Sequence, residues 1–179
     1  MERRDLTLMQ RLFSIQLMIF DVDGVLTDGT LYYNEQGESL KAFNVLDGMG
    51  IRMLAEADIR SAIVSGRKSD MVQSRARDLG IEIIMQGVAD KAAALDQIVR
   101  EFDIPARNIG YMGDDVIDIG LMRRVGFAAT VPNAATGVAG HAHWMSNRLG
   151  GQGAVREVCE LILGAQGKLD GLLAAYGAA

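Results

Sequence analysis

Two stretches of the chain hold aspartates at close spacing: Asp21-Val22-Asp23-Gly24 and Gly113-Asp114-Asp115-Val116-Ile117-Asp118. Each follows a short apolar run; Ser65 follows a third, and Lys91 opens a helical pattern after a fourth. Brought together, these carboxylates would repel one another, and a hard divalent cation, Mg²⁺ first among them, relieves that repulsion. The same ion allows an aspartate to approach a phosphoryl group, because it neutralises both partners. Oxygen-rich sites overlap in affinity, so Mn²⁺ and Co²⁺ stay open beside Mg²⁺. Taken singly, an Asp after a strand is a helix cap, Ser-Gly is a turn, and a lysine at a helix start is solvated. Their shared position, each beyond an apolar run, is what points to chemistry.

Such groups need a sheet to position them. QLMIFDVDG (16–24) reads as a buried strand running into a polar loop, and RSAIVSG (60–66), IEIIMQG (81–87) and NIGYMGDD (108–115) repeat the form. GFAATV (126–131) and HWMS (143–146) add further strands. Helical patterns cover Gly48–Ala57, Ser69–Leu79, Asp90–Phe102 and Val116–Val125. In the third, Ala94, Leu95, Ile98, Val99 and Phe102 recur at helical spacing and Asp90 is placed to cap. This alternation predicts right-handed βαβ crossovers and an α/β fold with a parallel sheet flanked by helices. Ligands then bind at the carboxyl ends of the strands, where Asp21, Asp23, Ser65, Asp114 and Asp115 fall.

One segment breaks the alternation. TLYYNEQGESLKAFNVLDG (30–48) holds two strand-like stretches around Asn34-Glu35-Gln36-Gly37, a β-hairpin inserted after the first strand at about 30–45. Gln152 to Gln166 reads as a helix with Val155, Val158, Cys159 and Ile162 on one face, and the residues from about 166 to 179 as a loose tail. Residues 1–179 hold one sizeable core, hence a single domain.

Composition narrows the class. Lys and Arg number 18 against 23 Asp and Glu, a formal net charge of -5, which argues against a nucleic-acid groove. One cysteine excludes an internal disulfide framework and a thiolate metal cluster. No apolar run approaches the roughly 18 residues of a membrane span. MERRDLTLMQRLF at the amino terminus lacks an apolar core or cleavage site, a poor export signal. A soluble cytoplasmic protein is the expectation. Glycine is abundant, 21 residues, and proline scarce, 2, which suggests tight turns between regular elements.

The order of these motifs resembles the haloacid dehalogenase-like phosphohydrolase superfamily. Its first motif, D-x-D-G-V/T-L, stands here as Asp21-Val22-Asp23-Gly24-Val25-Leu26; its second is matched by IVSGR at 63–67, its third by Lys91 in GVADK, and its fourth, G-D-D-x-x-D, by residues 113–118. The resemblance implies a Rossmann-like fold without a cap domain and a Mg²⁺-dependent phosphomonoesterase. It makes Asp21 the nucleophile forming an aspartyl-phosphate, and Asp23 the acid that protonates the leaving oxygen and then deprotonates water. It gives Mg²⁺ to Asp21, Asp114 and the backbone carbonyl of Asp23, the phosphoryl oxygens to Ser65 and Lys91, and supporting roles to Asp115 and Asp118.

More narrowly, DVDGVLTDG, KAFNVLDGMGI, SGRKSDMV, GDDVIDIGLM and GGQGAVREVCELIL resemble the 3-deoxy-D-manno-octulosonate (KDO) 8-phosphate phosphatase family. That implies hydrolysis of a small sugar acid phosphate in lipopolysaccharide biosynthesis, by a homotetramer whose neighbouring subunits help cover each site. Substrate contacts by resemblance are Asp23, Asn44, Val45, Leu46, Asp47, Gly48, Arg52, Arg67, Arg75 and Lys91, with Leu46 standing where an arginine is expected. A local cationic pocket suits a ligand carrying both phosphate and carboxylate. The same resemblance brings the Gly150-Gly151-Gln152-Gly153 turn, Arg156 and the tail near a neighbour's site.

Three rivals stay open. A phosphatase for a nine-carbon sugar acid phosphate shares the catalytic motifs. A receiver-like phospho-acceptor module also uses Asp, Mg²⁺ and Lys, but carries its acceptor after the third strand. A catalytically inactive interaction module is opposed by the full motif set. His141 and His143 read as surface residues, and Tyr32, Tyr33 and Phe43 on the hairpin as a subunit contact.

Overall fold

The computed structural model describes residues 6–178, so the first five residues of the amino-terminal segment and Ala179 lie outside the described residues. Thr7 and Gln10 form a reciprocal capping box that starts α1 (Leu8–Phe13), an element with no counterpart among the sequence expectations. There follow β1 (Leu17–Phe20), the hairpin strands β2 (Tyr32–Asn34) and β3 (Gly37–Leu40), α2 (Val45–Glu56), β4 (Arg60–Ser65) and α3 (Asp70–Leu79). The second half runs through β5 (Ile83–Gln86), α4 (Lys91–Phe102), β6 (Ile109–Met112), α5 (Ile119–Met122), β7 (Phe127–Thr130), β8 (Trp144–Met145), α6 (Ala154–Ala165) and α7 (Leu169–Ala175).

Six strands form one sheet in the order β5-β4-β1-β6-β7-β8, every pairing parallel. Both faces are covered, which is why the strands read as continuous apolar runs rather than alternating ones. Along β1, Met18 and Phe20 enter the core shared with α2, α3 and α6, while Leu17 and Ile19 enter the core shared with α4 and α5. Strand order reverses at β1, so the carboxyl ends of β1, β4 and β6 surround a crevice.

Several boundaries differ from the sequence expectation, each for a local reason. Helix α2 starts at Val45, three residues before the expected Gly48, because the Asn44 side chain caps it by accepting from the Leu46 N–H at 2.8 Å. Gly48 and Gly50 weaken the helical signal there, and both face close neighbours. A Cβ on Gly48 would lie 2.4 Å from Arg75 Nη2, and one on Gly50 would lie 3.0 Å from Arg156 Cα. The expected helix 116–125 is a 3₁₀ turn, Val116–Asp118, followed by the single turn of α5. The expected loose tail is also corrected: α7 forms because Leu169, Leu172 and Leu173 pack on the core, while Lys168 Nζ donates to the Ala57 carbonyl at 2.8 Å. Among the described residues, no helix is long and apolar enough to cross a membrane.

Candidate active site

At the end of β1 the Asp21 N–H donates to the Met112 carbonyl at 3.0 Å, extending the β1–β6 ladder by one residue. The chain then folds over itself through Val22–Leu26 and closes with Thr27 N–H on the Val22 carbonyl at 3.0 Å. Gly24 permits this turn twice over. Its φ is +90°, and a Cβ there would lie 2.0 Å from Asp114 Oδ2. The backbone after the first aspartate thus lies directly against the carboxylate at the end of β6.

Beneath that contact is a buried polar network. Lys91 Nζ lies 2.9 Å from Asp21 Oδ1, 2.6 Å from Asp118 Oδ1 and 3.2 Å from the Tyr111 hydroxyl. Tyr111 donates its O–H to the same Asp118 oxygen at 2.6 Å. The other Asp118 oxygen accepts the N–H groups of Asp114 and Asp115, at 2.9 and 3.0 Å. Asp118 has no solvent exposure and ties the lysine from the start of α4 to the loop after β6. Asp115 is exposed; its carboxylate accepts the Val116 N–H as a cap. Gly113 makes room for the network, since a Cβ there would lie 2.5 Å from Asp118 Oδ2.

Charge is poorly balanced in this floor. Burial, followed by repulsion from Asp21, Asp118 and Asp115, raises the Asp114 carboxyl to about 7. Burial lifts Asp21 to about 6 even though Lys91 pulls it down. Burial also works against the Lys91 ammonium, but Asp21 and Asp118 outweigh it and hold its pKa above the ordinary value. Oxygens of Asp21, Asp114 and Asp118 lie within 4.8 Å of one another, and Asp114 Oδ1 is buried with no donor. An orphaned carboxylate oxygen in an all-oxygen cluster fits a hard divalent cation. Asp118 is the poorest ligand of the three, because both its oxygens already accept two hydrogen bonds.

Ser65 ends β4 beside this floor, buried, with its Oγ accepting the Arg67 N–H at 3.3 Å. Asp23 faces the hairpin. One of its oxygens contacts the buried Lys41 ammonium, and the other lies 3.6 Å from Arg67 Nε. Lys41 is also 3.0 Å from Glu38 Oε1, and Arg67 reaches Glu38 at 3.5 Å and the Tyr33 hydroxyl. Burial depresses the Lys41 ammonium, yet its two carboxylate partners more than compensate and raise it. Lys41 and Glu38 escaped the sequence reading, as did Tyr111. The available signal for Lys41 was a cation directly after the return strand of an insertion that follows the first aspartate pair.

The remaining predicted contacts divide. Val45 and Leu46 lie exposed at the start of α2, 77% and 50% accessible. Asp47 points the other way and is buried: its carboxylate accepts the Arg156 N–H at 2.8 Å and the Gly153 N–H at 3.3 Å, capping α6. Arg75 donates to the Asn44 carbonyl at 3.4 Å and packs over Gly48. Arg52 is not brought to the strand ends; it bonds the Asp78 carbonyl in the last turn of α3. The glycine turn at 150–153 buttresses this chain's own loop. A Cβ on Gly150 would lie 1.7 Å from the Gly24 carbonyl oxygen, and Asn133 bridges the same two residues. Arg156 pairs with Glu160 at 2.7 Å on its own helix. His143 Nδ1 accepts the Ala128 N–H at 2.8 Å at the sheet edge, so its ring has a structural partner.

Comparison with known proteins agrees with this geometry. A model of haloacid dehalogenase-like hydrolases matches residues 80–153. The KDO 8-phosphate phosphatase KdsC of Yersinia pestis is 46% identical over 162 residues, 90% of this chain and 87% of that protein. Among solved structures, a probable YrbI family phosphatase from Pseudomonas syringae superposes with a TM-score of 0.92 at 49% identity, covering 94% of this chain and 96% of the other. The KDO 8-phosphate phosphatase of Moraxella catarrhalis, solved with magnesium, phosphate and KDO, gives 0.91 at 42% identity, covering 94% and 97%. The chain belongs to the KDO 8-phosphate phosphatase family of haloacid dehalogenase-like hydrolases.

Proposed function

We propose that this protein hydrolyses KDO 8-phosphate to KDO and phosphate through an aspartyl-phosphate on Asp21, as a step of lipopolysaccharide biosynthesis. The observation that carries the reading is the buried Asp21–Lys91–Asp118 network beside the orphaned Asp114 oxygen, in a chain 42% identical to a structure that holds magnesium, phosphate and KDO. Asp21 and Asp114, with the Asp23 backbone carbonyl, would hold Mg²⁺. That ion supplies positive charge against the carboxylates and the incoming phosphoryl oxygens.

The chain's own groups do the rest. Lys91 holds Asp21 by its Oδ1, leaving the second carboxylate oxygen to attack phosphorus in line with the departing ester oxygen. Ser65 and Lys91 offer donors to the phosphoryl oxygens. Asp23 gives its proton to the leaving sugar oxygen as the ester P–O bond breaks. As a carboxylate it then takes a proton from the water that cleaves the aspartyl-phosphate. Lys41 at one of its oxygens and Arg67 near the other hold that carboxyl in place. Arg67 and the exposed residues at the start of α2 are positioned to meet the sugar acid.

We further infer a cytoplasmic homotetramer whose subunits cover one another's sites. Support comes from the apolar surface around the mouth: Tyr33 at 60% exposure, Val45 at 77% and Leu46 at 50%. Phosphate release from a panel of sugar phosphates, with and without EDTA, tests the function. Fastest release from KDO 8-phosphate, lost with EDTA and restored by Mg²⁺, is expected. A clear preference for a nine-carbon sugar acid phosphate would overturn the substrate assignment.

A further inference from the structure

An ammonium group has three N–H donors, and Lys91 has three oxygen partners: Asp118 at 2.6 Å, Asp21 at 2.9 Å and the Tyr111 hydroxyl at 3.2 Å. None is left over. If the protein is the phosphatase described above, on which this inference rests, a phosphoryl oxygen reaching Lys91 must take a proton already in use. Two of the partners are carboxylates, whose charge-assisted hydrogen bonds are roughly twice as strong as neutral ones. The third is a neutral phenol at the longest distance, and its own O–H is committed to Asp118 at 2.6 Å. Tyr111 therefore makes the weakest of the three contacts.

We propose that Tyr111 is a positioning residue that occupies one proton of Lys91 in the resting site and yields it to the phosphoryl group. Tyr111 has no solvent exposure, so no bulk water can take its place beside the buried ammonium. Without the hydroxyl, the free enzyme would carry an unpaired ammonium proton, a cost that binding an anion removes. The prediction is opposite in sign to that of a purely structural tyrosine. Loosening the floor would weaken phosphate binding, whereas removing a competitor tightens it.

The test uses the Mg²⁺-loaded protein and inorganic phosphate as a competitive inhibitor, with Tyr111→Phe compared against the unaltered chain. The inhibition constant of phosphate and KM are expected to fall together, by about fivefold, the worth of one neutral hydrogen bond. The change in kcat should be smaller than either. A folded variant whose phosphate constant is unchanged or raised overturns the proposal. A second measurement does not depend on the variant folding. With 3-fluorotyrosine at all four tyrosines, the buried ¹⁹F resonance should shift when phosphate is added with Mg²⁺, and its failure to move overturns the proposal equally. Unaltered protein that releases phosphate from no sugar acid phosphate would sink the phosphatase reading itself; turnover with an unresponsive Tyr111 sinks only the placeholder role.

Discussion

The floor of the site and its rim are built on different terms. In the floor, Asp21, Lys91, Tyr111 and Asp118 are buried and joined by hydrogen bonds; Asp21 follows β1, Tyr111 lies in β6, Lys91 opens α4 and Asp118 closes the 3₁₀ turn after β6. At the rim, Tyr33, Val45, Leu46 and Arg67 are exposed: Tyr33 stands on the two-stranded hairpin, Val45 and Leu46 on the first turn of α2, and Arg67 in the loop after β4. A rigid floor fixes the geometry of attack on phosphorus, which hardly depends on what the phosphate is attached to. A looser rim meets the part of the substrate that varies. Chemistry and selectivity are thus carried by separate regions, and substitutions in each should separate them.

The largest effect belongs in the floor. Asp21→Asn keeps the shape and an acceptor for Lys91 but removes the anionic nucleophile. Turnover should fall by at least about 1,000-fold, ~4 kcal/mol of barrier, with the thermal transition within a few degrees of the original. Phosphate release under saturating sugar phosphate measures it. If Asp21→Asn stays within about tenfold of the starting rate, attack does not come from this carboxylate.

Legibility in the sequence follows the same division. The strand ends could be read because a buried parallel strand is an unbroken apolar run, and the first polar residue after it marks the edge of the sheet. That places Asp21, Ser65 and Asp114 on one edge from their neighbours alone. Tyr111 could not be separated from core filling, since only the tertiary fold reveals that its hydroxyl meets Lys91 and Asp118. Asp47 reads as a polar residue near the mouth, yet its partners are the N–H groups of Gly153 and Arg156, more than a hundred residues away. The same distance hid the fit of Gly150 against Gly24. Helix α7 went unseen because glycine and alanine dilute the spacing of three leucines that pack on the core.

At the rim, Lys41 offers a sharper break between the regions. It is buried like a floor residue but stands on the hairpin, and it contacts both Asp23 and Glu38. Lys41→Met keeps the apolar stem and removes the charge. Asp23 would lose the contact that holds its carboxyl in place beside the leaving oxygen, so kcat/KM should fall about tenfold, ~1.4 kcal/mol. The loss should be far smaller for an activated aryl phosphate, whose leaving oxygen needs no proton. An equal loss on both substrates would place Lys41 in general support of the floor instead.

The smallest effect tests what the floor rests on. Glu157, in the first turn of α6, accepts the Asn147 N–H at 2.9 Å and the Asn147 side chain at 2.7 Å, and bonds the Ser146 hydroxyl. These bonds hold the segment leading from β8 into the glycine turn beneath the Asp21 loop. Burial opposes ionisation of Glu157, but the hydrogen bonds from Ser146 and Asn147 outweigh it and lower its pKa below the ordinary value of 4.5. A depressed carboxylate stabilises the fold above its unfolded-state pKa, and that contribution disappears as pH falls through the folded-state pKa. Glu157→Gln should therefore cost about 1 kcal/mol at pH 7, the net worth of one such bond. Its deficit should shrink toward zero as the pH drops below 4.5, because only the original side chain titrates. Urea midpoints of both proteins across that range measure it, and a deficit that stays constant with pH would mean that Glu157 acts through shape rather than charge. KM should stay level in the variant throughout, since the brace touches the floor's foundation and leaves the rim alone.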